Sequence, residues 1–176
     1  MTDNTYILAV DPGNEKTGVA IVTPTGGALV YRDIIASKTF NNDIERILTI
    51  YYGVNHIVCG NGTNHKYLYP SLQQIGRNHR ITTSLIDESR STEEARKLYW
   101  QYNPPKGGWR KILPTTMQFP PEPVDDLTAY VIALRYTKQL IQSALAAKED
   151  DIDSGELQEK RLHAMEQLYG KGDKHE

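Results

Sequence analysis

Acidic side chains fall at three places in this sequence where a carboxylate is costly to leave without a partner. Asp11 follows the apolar run Tyr6-Ile7-Leu8-Ala9-Val10 and precedes Pro12-Gly13; Asp87-Glu88 follows Ile81–Ile86; and Glu122, Asp125 and Asp126 open a long segment of periodic apolar residues. A carboxylate at the end of a buried strand loses hydration, which a backbone amide, a lysine or a metal ion must offset. Several carboxylates gathered together repel one another unless cations neutralise them, and all-oxygen ligand sets suit Mg²⁺ or Mn²⁺. Two such ions about 4 Å apart can activate water and stabilise a leaving oxygen in phosphodiester hydrolysis. Each acid also has a simpler explanation. Asp11 before Pro-Gly makes an Asx-turn, Asp87 and Glu88 are loop acids, and Glu122, Asp125 and Asp126 around Pro123 complement a helix N-terminus. Singly, these simpler readings are at least as good; the recurrence of acids at element ends favours the chemical one.

The elements that would bring these acids together follow from periodicity. Thr5–Val10, Thr17–Thr23 and Ala28–Ala36 read as strands, with Pro24–Gly27 as the turn between the last two. Ile44, Ile47, Leu48 and Tyr51 recur at helical spacing up to Gly53. His56–Gly60 is a short buried strand, Tyr67–His79 a helix and Ile81–Ile86 the next strand. Ser91 with Glu94 forms a capping box for a helix to about Tyr102. A proline- and glycine-rich connection follows, and Val124, Leu127, Val131, Leu134 and Ile141 mark a long amphipathic helix ending near Lys148. Strands joined by short turns form an antiparallel meander, and strands reached through helices run parallel, so the class is α/β with a mixed sheet. Strand C-termini and the start of the last helix then share one edge, where such sheets place ligands. Glu122 and Asp125, three apart, share a helix face. Beyond that domain, 1–148, residues 149–176 read as an acidic linker, a short helix Glu156–Tyr169 and a tail.

The chain has 176 residues and a net charge of −2, with a single cysteine, Cys59, in an apolar stretch. One cysteine excludes an internal disulfide. No apolar run is long enough to span a bilayer and the start lacks a signal-like pattern, so a cytoplasmic protein without membrane contact is expected. Charge is unevenly divided: 149–176 carries nine acids and four Lys/Arg, whereas 1–148 carries thirteen acids and sixteen Lys/Arg. Neither 60–86 nor 96–121 contains an Asp or Glu, and both hold basic residues, the second with Tyr99, Trp100, Tyr102 and Trp109 interleaved. Basic residues with aromatics between them suit nucleic-acid binding, although on composition alone an ordinary solvated surface is the better explanation.

Four segments in order resemble the ribonuclease H-like superfamily, in its RuvC/YqgF branch: "VDPGNEKTGVAIV", "HIVCGNGTNHK", "IDESRSTEEARKLY" and "EPVDDLTAYVIALRY". The resemblance spans about Tyr6 to Lys148 and implies a five-stranded mixed sheet with helices on both faces. It matches Asp11, Glu88 and Asp125 to catalytic, metal-binding acids, adds Glu122 as a further metal ligand, and implies Mg²⁺ or Mn²⁺, in two copies. The fourth strand ends in Gly60-Asn61 where RuvC-type enzymes carry a glutamate. Lys16, Asn61, Thr63, Lys66, Arg90, Arg96, Lys106, Trp109, Arg110 and Lys111 are the candidate nucleic-acid contacts. The implied activity is a metal-dependent nuclease, endo- or exonucleolytic, on a ribosomal RNA precursor or on branched DNA such as a Holliday junction, with the YqgF-like size and the Asp-Glu segment favouring the RNA precursor; a homodimer is left open. A non-cleaving binding module of the same fold is the alternative. An actin- or sugar-kinase-like ATPase, which shares an Asp-x-Gly phosphate loop, ranks third because that fold needs two such domains.

Overall fold

The run Tyr6-Ile7-Leu8-Ala9-Val10 has no polar residue, as a strand covered on both faces requires. The computed structural model, which describes residues 5–25, 27–62, 64–104, 120, 121 and 123–169, with side chains to 147, makes this run the centre of a sheet. Its strands are β1 (Tyr6–Asp11), β2 (Lys16–Val22), β3 (Leu29–Ala36), β4 (Val54–Gly60) and β5 (Thr82–Ile86). Their order is β3-β2-β1-β4-β5. β1 to β3 are antiparallel neighbours, and β4 and β5 join in parallel. The five-stranded mixed sheet is therefore as the resemblance implies.

Alternation along β1 divides the core in two. Leu8 and Val10 pack with Val19, Ile21 and Cys59 against α1 (Phe40–Ile50) and α2 (His65–His79), through Ile44, Ile47, Leu72 and Ile75. Ile7 and Ala9 point the other way and pack with Val58 and Ile86 against Ile132 and Ala133 of α4 (Asp125–Tyr169). α4 also covers α3 (Ser91–Tyr102), with Leu127 and Val131 against Ala95. A helix between a sheet and another helix needs apolar residues on two sides, so its buried set is wider than the single stripe expected. Cys59 is fully buried and free, a packing residue as read.

Two local expectations are corrected. Ser91 is not an N-cap: Arg90, at φ 61°, holds that place without a side-chain cap bond, and Ser91 is a buried first helical residue. Glu94 is drawn instead to Arg135. Nor is there a linker at 149–155, since α4 is unbroken to Tyr169. Ala146, Ala147 and Lys148 before that stretch, and Leu157 to Arg161 after it, are strong helix formers that carry the helix across. Contacts divide the chain into Met1–Thr137 and Lys138–Glu176. Among the described residues no helix is long and apolar enough to cross a membrane.

Candidate active site at the strand ends

β1, β4 and β5 run in the same direction, so Asp11, Gly60-Asn61 and Asp87-Glu88 emerge along one edge. β5 is two strands from β1, about 10 Å away, and Glu88 must cross the end of β4 to reach Asp11. Gly60 and Gly62 make that crossing possible, because a Cβ at either position would collide with the Glu88 carboxylate. Glu88 thus fills the space that the two glycines leave at the end of β4. Asn61 spans the same gap: its backbone N–H donates to Ile86 O (3.0 Å), and its Oδ1 accepts from Glu88 N (3.1 Å).

α4 reaches the edge by a second close approach. Gly18 is the register partner of Asp11 on β2. A side chain there would collide with the backbone of Asp125, so glycine lets the start of α4 rest directly on the sheet beside Asp11. The need for glycine at position 18 therefore comes from a contact far away in the sequence. Gly13 serves the turn, since a Cβ would meet Lys16 O. Its own carbonyl accepts from Ser37 Oγ (2.9 Å) and Asn64 Nδ2 (2.8 Å), which pin the segment after Asp11.

Electrostatics follow from this crowding. Burial, then the charges of Glu88 and Asp125, then a hydrogen bond with Glu88, push Asp11 from the ordinary carboxylate range up to about 7. Burial also raises Glu88, against the lowering effects of the Asp11 bond and the Gly62 amide. The Glu88 Oε2 atom is buried with no hydrogen-bond partner. Burial and the same two acids push the Cys59 thiol up to about 12 and keep it inert. A buried acceptor without a donor, beside a like-charged pair, fits a bound cation, and all-carboxylate donors suit Mg²⁺ or Mn²⁺. Among the described residues, however, no three His, Cys, Asp or Glu side chains close into a ready metal cage.

The remaining candidates divide. Asp126 turns from the cluster to Arg32, Oδ2 to Nη1 at 3.4 Å, whereas Asp125 is felt by Asp11. Asp87 is occupied by its own turn, accepting from Ser89 N (3.2 Å) and Ser89 Oγ (2.8 Å), which lower its pKa. Asn61, expected to contact nucleic acid, uses its side-chain oxygen on Glu88. Lys16 at the start of β2, Lys66 in the first turn of α2, and Arg90 are exposed, and Arg96 is half-buried. Thr63, Lys106, Trp109, Arg110, Lys111 and Glu122 lie outside the described residues. Sequence reasoning missed Arg135, whose guanidinium bonds Asp87 O, Ser89 O and Glu94. A lone charge in the apolar run "YVIALRY" was the available signal.

No family model and no curated protein matches the chain. Solved structures do. Thermus thermophilus RuvC matches at 10% identity and a TM-score of 0.50, over 74% of this chain and 92% of that one. RuvC from T. thermophilus in complex with Holliday junction substrate matches at 11% and 0.50, over 74% and 90%. The fowlpox virus resolvase in complex with substrate Holliday junction DNA matches at 14% and 0.53, over 77% and 99%. At such identities the likeness is one of fold: the chain has the RNase H-like fold of RuvC-type resolvases.

Proposed function

We propose that the protein is a divalent-metal-dependent nuclease that hydrolyses phosphodiester bonds in branched DNA. The observation that carries this reading is the convergence of Asp11 and Glu88, with Asp125 near enough to raise Asp11, on the sheet edge where the strands end. Such a group is unfavourable in the folded state unless cations compensate it. Asp11, Glu88 and Asp125 are the residues that would hold Mg²⁺ or Mn²⁺, with Glu122 a further proposed ligand. When bound, the ions supply the charge that activates water and stabilises the leaving oxygen. The chain supplies the rest: the Gly62 amide and Asn61 hold Glu88 across the end of β4, and the Gly18 contact fixes Asp125 beside Asp11. Lys16, Lys66, Arg90 and Arg96, with the 106–111 segment, are the proposed contacts to the nucleic-acid backbone.

Branched DNA is preferred to an RNA precursor because two of the matched structures hold Holliday junction DNA. The second reading is a binding module of this fold that does not cleave. Incubation with Mn²⁺ and a labelled four-way junction, a duplex or a structured RNA distinguishes these. Junction cleavage by wild type and its loss in Asp11→Asn supports the nuclease. Tight junction binding with no cleavage of any substrate would establish the binding module instead.

A further inference from the structure

We propose that Arg135 is a positioning residue of this site: from α4 its guanidinium spans the β5–α3 turn and fixes the peptide units on both sides of Glu88. The inference rests on the nuclease reading, in which Glu88 is a metal ligand. Only Asp87 to Arg90 separate the end of β5 from the start of α3. Arg135 Nη1 donates to Asp87 O at 3.0 Å, and Nη2 donates to Ser89 O at 2.7 Å and to Glu94 Oε1 at 2.9 Å. The intervening carbonyl, Glu88 O, accepts from Ser91 N at 2.8 Å. Three successive carbonyls are therefore engaged, two of them by one side chain. Asn61 Oδ1 holds the Glu88 amide from the other side at 3.1 Å. The turn ends in Arg90 at φ 61°, a conformation that surrounding contacts must sustain in a non-glycine residue.

The consequence for Glu88 is geometric. Its carboxylate enters a slot bounded by Gly60 and Gly62, with Oε2 buried. A shift of the turn would carry the carboxylate against β4 or away from Asp11. Arginine suits the task because its planar fork offers several donors in fixed directions, whereas a lysine ammonium is a single point that cannot span two carbonyls on the same terms. Glu94 balances the charge and orients the fork, so it should matter less than the two carbonyl bonds. α4 thereby carries both Asp125 and the clamp on Glu88, and ties the two acids to one rigid element.

The test compares wild type with Arg135→Ala, Arg135→Lys and Glu94→Gln. Mn²⁺ binding is measured by calorimetry and amide hydrogen exchange is measured on the metal-free protein. Loss of an outer-shell partner typically weakens metal binding by about 10–100-fold. Arg135→Ala should show a loss of that size and faster exchange at the Glu88 and Ser91 amides, with β1 and α1 keeping their protection. Arg135→Lys should fall between, and it provides the measurement if the alanine variant does not fold; Glu94→Gln should stay close to wild type. A variant with a lower Tm but unchanged Mn²⁺ affinity and unchanged exchange in the turn would overturn the proposal and leave Arg135 a packing residue. Wild type that binds no Mn²⁺ would overturn the metal reading itself, a different outcome from a wild type that binds and a variant that binds equally well.

Discussion

Asp11→Asn isolates the free energy stored in the acid cluster. Asparagine has nearly the shape of the protonated acid but cannot ionise. In the metal-free fold Asp11 titrates at about 7, against a reference of 3.8 for the free side chain. A raised pKa means that the folded state binds the proton more tightly than the unfolded chain does. Stability from this source is therefore fully present below about pH 4 and is lost as pH rises towards 7. One pKa unit corresponds to about 1.4 kcal/mol, so the loss has a ceiling of about 4 kcal/mol above pH 7. At about 2–4 °C per kcal/mol for a chain of this size, the asparagine variant should melt well above wild type at pH 8. The two should converge near pH 4. Melting curves from pH 4 to 8 in the presence of a chelator measure the gap. Added Mn²⁺ should then raise the Tm of wild type much more than that of Asp11→Asn, because only the wild type regains a compensating charge. Parallel curves, with a gap that does not change with pH, would refute the reasoning: Asp11 would then be solvated or paired in a way that makes its ionisation harmless.

Three other outcomes are expected. Asp125→Asn should abolish cleavage of a junction substrate, while Asp126→Asn should retain it and lose about 1 kcal/mol of stability, the scale of a partly exposed ion pair such as that with Arg32; equal activity of the two variants would remove Asp125 from the site. Gly62→Ala forces the Glu88 carboxylate to move, and a misplacement of about 1 Å can cost about 10²-fold in rate; steady-state cleavage measures the loss, while a near-wild-type Tm shows that the fold survives. Arg110→Ala with Lys111→Ala should reduce the slope of log affinity against log salt by about 1 per lost phosphate contact; an unchanged slope would exclude that segment from the binding surface.

The strands and their antiparallel or parallel sense were legible because each carries its own pattern. The fully apolar Ile7–Val10 run announces a strand covered on both faces, and the short turns between the first three strands leave little choice but antiparallel pairing. Asp11 was legible for the same reason, as a charge that ends such a run. What the sequence did not show are contacts between residues far apart along the chain. Gly18 reads locally as a turn residue, yet its lack of a side chain admits the backbone of Asp125, more than a hundred positions later. Ser91 and Glu94 make a convincing local cap, yet Glu94 is drawn to Arg135, and a single guanidinium that also satisfies two backbone carbonyls offers more than one capping bond. Gly60-Asn61, read alone, looks like the loss of an acid. Glu88 crosses the end of β4 into the space that Gly60 and Gly62 leave, a contact that neither segment shows by itself.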